Sequence, residues 1–223
     1  MSFDISVLTN EWRALLQGLG LTIFIWIVGS ALGMLLGLVV ALAQLFLGAA
    51  VRAVLQAYIG LIRGTPFLIQ LFVLYYGGPF YGLDLSPMTA GILGLLLYGG
   101  AYFAEIFRTG FQSVPVGQIE AARMAGFTQM QIALHVQFPQ MLVIILPALA
   151  NMVIILSKET AVLSVITVGE LTAVVSSIGS TTFAFAETLL FLALTYWVLI
   201  ELASTAGRAL EKRLGRFTTR APA

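Results

Sequence analysis

RTGFQSVPVGQIEAARMAGFTQMQIALHVQFP, residues Arg108 to Pro139, is the one long polar interruption in an otherwise strongly apolar chain. Apolar stretches long enough to cross a bilayer lie on both sides of it, so a segment of this composition belongs in water, where it can meet a partner. Its local signals describe two short helices joined by a turn. Pro115 suits a first helical turn, where a missing N–H costs nothing, and Ser113 just ahead is a candidate cap. The first helix is expected from about Val116 to Ala125, closed by Gly126 in the left-handed conformation common at helix ends. Thr128 and Gln131 have the spacing of a capping box, and the second helix is expected to stop by Pro139.

The turn is framed by Glu120, Ala121, Ala122, Arg123 and Gly126. The small side chains at Ala121, Ala122 and Ala125 let a partner surface approach the backbone, and Glu120 and Arg123, three apart, share a face that can orient it. Taken alone, a pair at that spacing is more often a solvated helix decoration worth about 0.2–0.5 kcal/mol.

The rest of the chain places this segment in a membrane protein. Of 223 residues 60% are hydrophobic and 9% charged, with a mean hydropathy of +1.01. Soluble domains carry about a quarter charged residues, and this chain has too little polar surface to cover its apolar runs. There is no cysteine, and His135 is the only histidine, so thiol chemistry is excluded and neither a histidine metal site nor a catalytic set is expected. The amino-terminal MSFDISVLTNEWRALLQ is acidic where a secretory signal is basic, so no removable signal is expected.

Five spans are expected, at roughly 15–47, 55–77, 88–107, 139–157 and 183–204, with the docking loop at 108–138, all within one transmembrane domain, 1–223. Gly29, Gly33 and Gly37 recur every four residues on one helix face, a pattern that lets helices pack backbone to backbone; a seam within the chain is favoured over a dimer seam. Arg63-Gly64-Thr65-Pro66 interrupts the second span, and Arg63 either snorkels to the headgroups or lines an internal cavity. Glu105 and Arg108 are expected in the interface at the end of the third span, and Pro147 is expected to kink the fourth. Ser157-Lys158-Glu159-Thr160 is the most polar cluster in an apolar stretch, facing either a pathway or the interface. Residues 161–182, broken by Gly169-Glu170, Ser176-Ser177 and Gly179-Ser180, read as short helices at the outer face or partly re-entering the protein.

Arg208, Lys212, Arg213, Arg216 and Arg220 follow the last span and assign the carboxyl terminus to the cytoplasm. Five crossings then put the amino terminus outside. Arg52, Arg108 and Arg123 fall inside, while Asp4, Glu11, Asp84 and Glu170 fall outside, with Arg13 the exception.

Glu120-Ala121-Ala122, three residues, Gly126, nine residues and then Val136-Gln137-Phe138-Pro139 resembles the Glu-Ala-Ala loop of the membrane subunits of bacterial ABC importers. The family usually ends this pattern with Ile-x-Leu-Pro, and the chain has the conservative Val-x-Phe-Pro. Arg63-Gly64-Thr65-Pro66, Ala104-Glu105-Ile106-Phe107-Arg108 with Gln112-Ser113-Val114-Pro115, and Lys158-Glu159-Thr160 are similar to the polar amino acid branch. The resemblance runs from Leu15 to Arg216.

It implies the all-α type I importer transmembrane fold in a bacterial inner membrane. The implied function is a permease subunit that passes a polar amino acid by alternating access, not an enzyme. The implied partners are ATP-binding-cassette ATPase subunits docked on Glu120 to Gly126, an extracytoplasmic amino-acid-binding protein, and a second copy or a related permease; nucleic acid is not among them. By charge, Arg63 or Lys158 suits a substrate carboxylate and Glu159 an ammonium, with Thr65 and Thr160 beside them. No Gly-x4-Gly-Lys-Ser/Thr loop occurs, so no cofactor is expected here and ATP with Mg²⁺ belongs to the partner. The alternatives are a secondary transporter or channel not coupled to ATP, which has no need of a large cytoplasmic loop, and an intramembrane enzyme, for which the residues are lacking.

Overall fold

The computed structural model describes residues 4–215; Arg216 and Arg220 of the basic tail lie outside the described residues. Helices account for the ordered elements, and there is no strand among the described residues. In chain order they are α1 (Ser6–Asn10), α2 (Trp12–Phe46), α3 (Ala49–Arg63), α4 (Phe67–Tyr75), a 3₁₀ turn (Gly78–Tyr81), α5 (Pro87–Ser113), α6 (Val116–Met124) and α7 (Gln129–Gln131). A π-helical turn (Ile132–Gln137), α8 (Phe138–Glu159), a second 3₁₀ turn (Thr160–Ile166), α9 (Leu171–Thr182) and α10 (Phe185–Gly215) follow.

The glycine seam fixes the arrangement. A Cβ on Gly29 would stand 2.9 Å from the Leu95 side chain, one on Gly33 3.2 Å from Gly99, and one on Gly37 2.5 Å from the Phe103 Cβ. Glycine is needed here because anything larger would hold α2 and α5 apart. The seam therefore lies inside the chain. Its pairs advance together along both helices, so α2 and α5 run parallel. Two parallel neighbours joined by one connection require that connection to climb back through the full height of the layer.

Residues 47–86 do so as a broken span. α3 and α4 meet at an angle of 107° across Gly64, Thr65 and Pro66, the interruption expected within the span at 55–77. Proline lacks the N–H that would continue α3 and disfavours helical geometry in the residue before it. The Gln70 amide nitrogen then straps the break, lying 2.7 Å from the Ile62 carbonyl and 2.9 Å from both the carbonyl and the hydroxyl of Thr65.

α8 runs antiparallel to α5: Gly110 faces Ile145 and Met141, Gly99 faces Leu156, and Gly91 faces Leu163. Together with α2 and α4 these helices enclose a core of Phe103, Leu95, Leu71, Met141, Leu156 and Leu163. α10 packs outside it and leaves Leu194, Trp197, Val198 and Leu202 exposed, an apolar face suited to lipid or to another membrane helix.

Two sequence expectations change. The helix after the docking turn does not stop at Pro139: the helical run continues from Gln129 to Ile166. The proline ring would clash with the carbonyl four residues back, and the π turn just before it shifts the pairing by one residue, with the Phe138 N–H on the Ala133 carbonyl. The helix of the third span does not end at 107 but carries on to Ser113, so Glu105 and Arg108 sit about two turns and one turn before its end.

Candidate functional site

α6 is held as a rigid finger by its own ends. It closes on a complete Schellman motif: the Phe127 N–H donates to the Ala122 carbonyl at 3.1 Å and the Gly126 N–H to that of Arg123 at 2.9 Å, with Gly126 at φ +84°. Thr128 and Gln131 form the capping box, the Thr128 N–H donating to the Gln131 side chain at 2.8 Å and the Gln131 N–H to the Thr128 hydroxyl at 3.3 Å. Ser113 is not the cap of α6; its hydroxyl donates to the Gly110 carbonyl at 2.7 Å, and Pro115 occupies the cap position.

Of the five docking residues, Glu120, Ala121, Arg123 and Gly126 are exposed and Ala122 is buried as the anchor of the turn. No ion pair joins Glu120 to Arg123. What the sequence reading missed is the apolar surface around them: Met124 is 89% exposed, Met130 50% and Phe127 44%. These three stand together in a segment that is otherwise polar, and flexible methionines with an aromatic suit a partner surface.

A second group of residues gathers where α3 breaks. The Arg63 guanidinium lies over the Tyr102 ring at 5.5 Å and 3.9 Å from the Glu105 carboxylate. Glu105 in turn accepts from Arg108 through both carboxylate oxygens, and Tyr102 stacks on Tyr98, which stacks on Phe67. Arg63 thus packs against the second half of the 27-residue α5.

Because Leu156 packs on Gly99 and the two helices are antiparallel, the residues that end α8 stand roughly two turns along α5 from Tyr102 and Glu105. Lys158 is exposed there and Glu159 half-buried, whereas Thr160 is buried, its hydroxyl donating to the Ser157 carbonyl at 2.7 Å. Thr65 is spent on the bend, donating to the Leu61 carbonyl at 2.9 Å. Of the five expected pathway residues, Arg63, Lys158 and Glu159 therefore have charge and surface to offer, while Thr65 and Thr160 shape the backbone beside them.

Glu170, expected on the outer side of the membrane, is fully buried within the chain. It caps α9, accepting from the N–H groups of Thr172 and Ala173 at 2.9 Å each, and lies 3.4 Å from the hydroxyls of Thr22 on α2 and Tyr196 on α10. Burial pushes this carboxyl above the ordinary carboxylate range, and the two backbone N–H groups pull it back. Its spacing to the following apolar residues was a capping signal in the sequence; its burial was not.

The comparisons agree with this architecture. The family model described as "Binding-protein-dependent transport system inner membrane component" matches residues 33–216. The chain is similar to the "Probable amino-acid ABC transporter permease protein YckA" of Bacillus subtilis (strain 168), 34% identical over 215 residues, covering 96% of this chain and 95% of that one. The "Probable glutamine ABC transporter permease protein GlnM" of the same organism is 34% identical over 211 residues, with 95% and 98% covered. Among solved structures, a chain of an amino acid ABC transporter crystallised with histidines superposes with a TM-score of 0.89 at 35% identity, covering 96% of this chain and all of that one.

Proposed function

Because this chain belongs to the family of binding-protein-dependent transport system inner membrane components, we propose that it is the permease subunit of an ATP-driven importer of polar amino acids. The relatives named for amino acids and glutamine, and the similar transporter crystallised with histidines, support the substrate class. In this reading the amino terminus faces outward and the carboxyl terminus the cytoplasm. Counting the broken span as one crossing gives five, and the docking finger then lies on the same side as the basic residues Arg208, Lys212 and Arg213.

The observation that carries the reading is the finger itself, an exposed short helix locked at its end by a left-handed glycine and bearing unpartnered Met124, Phe127 and Met130. Separate ATPase subunits, which hold ATP and Mg²⁺, dock on Glu120 to Gly126. Their closure pushes α6, and the continuous run from α7 through α8 carries the displacement to Lys158 and Glu159 at mid-height. Work is transmitted only because ATP favours one arrangement of the pair over the other. An extracytoplasmic binding protein delivers the amino acid, and a second permease, identical or related, completes the route. Within that route Arg63 and Lys158 suit the substrate carboxylate and Glu159 its ammonium.

Co-purification in mild detergent tests this. An ATP-binding-cassette subunit recovered with the native chain but not with a Glu120→Lys, Gly126→Val double variant supports the docking site and the class together. Absence of any such subunit after cross-linking removes ATP coupling from the reading. A related permease in the same sample, or none, decides between a heterodimer and a homodimer.

A further inference from the structure

A pocket of about 290 Å³ opens between the carboxyl-terminal turn of α2, the first turns of α3 and the last turns of α5. That size is near the lower end of small-ligand sites, about 300–1,000 Å³. Its polar lining is one-sided: Arg52, Arg108, Gln56 and Gln112 contribute donors beside the buried Gln44, and none of the lining residues is acidic. Arg108 is already neutralised by Glu105 and shares its remaining arm with Gln112 at 3.0 Å. Arg52 has no carboxylate partner among the described residues; only its Nε is engaged, donating to the Gln44 carbonyl at 3.2 Å.

Two further features point to an anion. Gln44 is 5% exposed, and both the nitrogen and the oxygen of its amide are sealed from solvent without a hydrogen-bond partner, an uncommon state for a buried amide. Arg52 also stands in the opening turn of α3, a helix with no side-chain cap at Gly48, where the peptide dipoles already favour negative charge. A cation placed there adds to the positive field instead of cancelling it.

We propose that this pocket binds the headgroup phosphate of an anionic phospholipid from the cytoplasmic leaflet. Arg52 supplies the charge, and the amides of Gln56 and Gln112 supply neutral donors around it. The lipid, rather than a free anion, is favoured by what surrounds the pocket: Leu47, Val51 and Val54 are exposed apolar side chains beside Arg52, so an acyl chain can lie along α3 while the phosphate enters. Basic pockets between membrane helices on the cytoplasmic side take headgroups in this way. The inference rests on the orientation proposed above, and it places a lipid against Gln112, four residues of chain ahead of α6.

The purified complex with its ATPase subunits, equilibrated with mixed phosphatidylglycerol and phosphatidylcholine, is the sample, and native mass spectrometry counts the lipids each permease retains. Phosphatidylglycerol is expected to be retained in preference. Arg52→Gln should lower that preference about fivefold, the factor for one basic residue at an anionic surface, Arg52→Lys should keep most of it, and Arg208→Gln should leave it unchanged. Equal retention of the two lipids, or an Arg52→Gln complex indistinguishable from the native one, overturns the proposal. Displacement of phosphatidylglycerol by inorganic phosphate makes this a free-anion site and overturns the lipid assignment. The cysteine-free chain also allows a separate check of orientation: an Ala49→Cys variant should react with a membrane-impermeant maleimide only from the cytoplasmic side. Reaction from outside refutes the orientation, whereas inside-only reaction with unselective lipid retention refutes the site alone.

Discussion

Replacing Gly126 with valine separates a conformational cost from a packing cost. A Cβ built on Gly126 meets nothing within 4 Å, so valine has the room it needs. What it lacks is the backbone: φ is +84°, and an L-residue held in the left-handed region is disfavoured by about 1–2 kcal/mol, with the β-branched side chain at the upper end. The native turn also holds the two hydrogen bonds from Gly126 and Phe127, which relaxation of the backbone would weaken. At about 2 kcal/mol the docking-competent turn becomes roughly thirtyfold rarer, since each 1.4 kcal/mol is a factor of ten. The affinity for the ATPase subunit should fall by up to the same factor. Titrating purified ATPase onto the permease in nanodiscs measures this directly, and ATP-dependent amino acid uptake into vesicles follows the consequence. Gly126→Asn is the control, because asparagine visits the left-handed region at small cost. Native affinity in the valine variant would show that docking does not need the turn. An asparagine variant as weak as the valine one would show that the loss comes from side-chain bulk at the partner surface, and the conformational reasoning would be wrong.

The glycine seam can be tested by stability alone: Gly37→Ala should destabilise the permease by about 1–3 kcal/mol because its Cβ would lie 2.5 Å from that of Phe103 and 2.7 Å from the Ala104 nitrogen, while Gly20→Ala, with open space around it, should not. Thermal unfolding in detergent reads both, and equal midpoints would argue against the parallel α2–α5 contact. Glu170→Ala removes the cap of α9 and should cost about 0.5–2 kcal/mol, visible as faster hydrogen exchange at Thr172 and Ala173; unchanged exchange there contradicts the cap. Glu159→Gln should alter the selectivity or affinity of uptake without weakening ATPase binding. Unchanged transport of every amino acid tested would make Glu159 a structural residue.

The docking finger was legible in the sequence because each of its devices is local. Gly126 three residues past Arg123, and Gln131 three past Thr128, satisfy backbone groups within one turn of themselves, so spacing alone carries the information. Membrane placement was equally legible, since it depends only on how much apolar surface the chain must hide. Pro139 misled for the opposite reason: its effect depends on whether the helix before it can widen, and the π turn at Ile132–Gln137 lets it pass.

Composition and local spacing therefore determined an all-helical membrane protein with an exposed helix-turn-helix finger. Only the tertiary structure decided that the glycine seam of α2 packs on α5 and that the second crossing bends by 107° between α3 and α4. It alone brought Arg63 to Tyr102 and Glu105, and drew Glu170 into the contact of α2, α9 and α10. Those contacts join residues up to 148 positions apart. Nothing in the local pattern of a helix says which neighbour its polar side chain will meet, because that depends on the directions and heights at which whole helices pack.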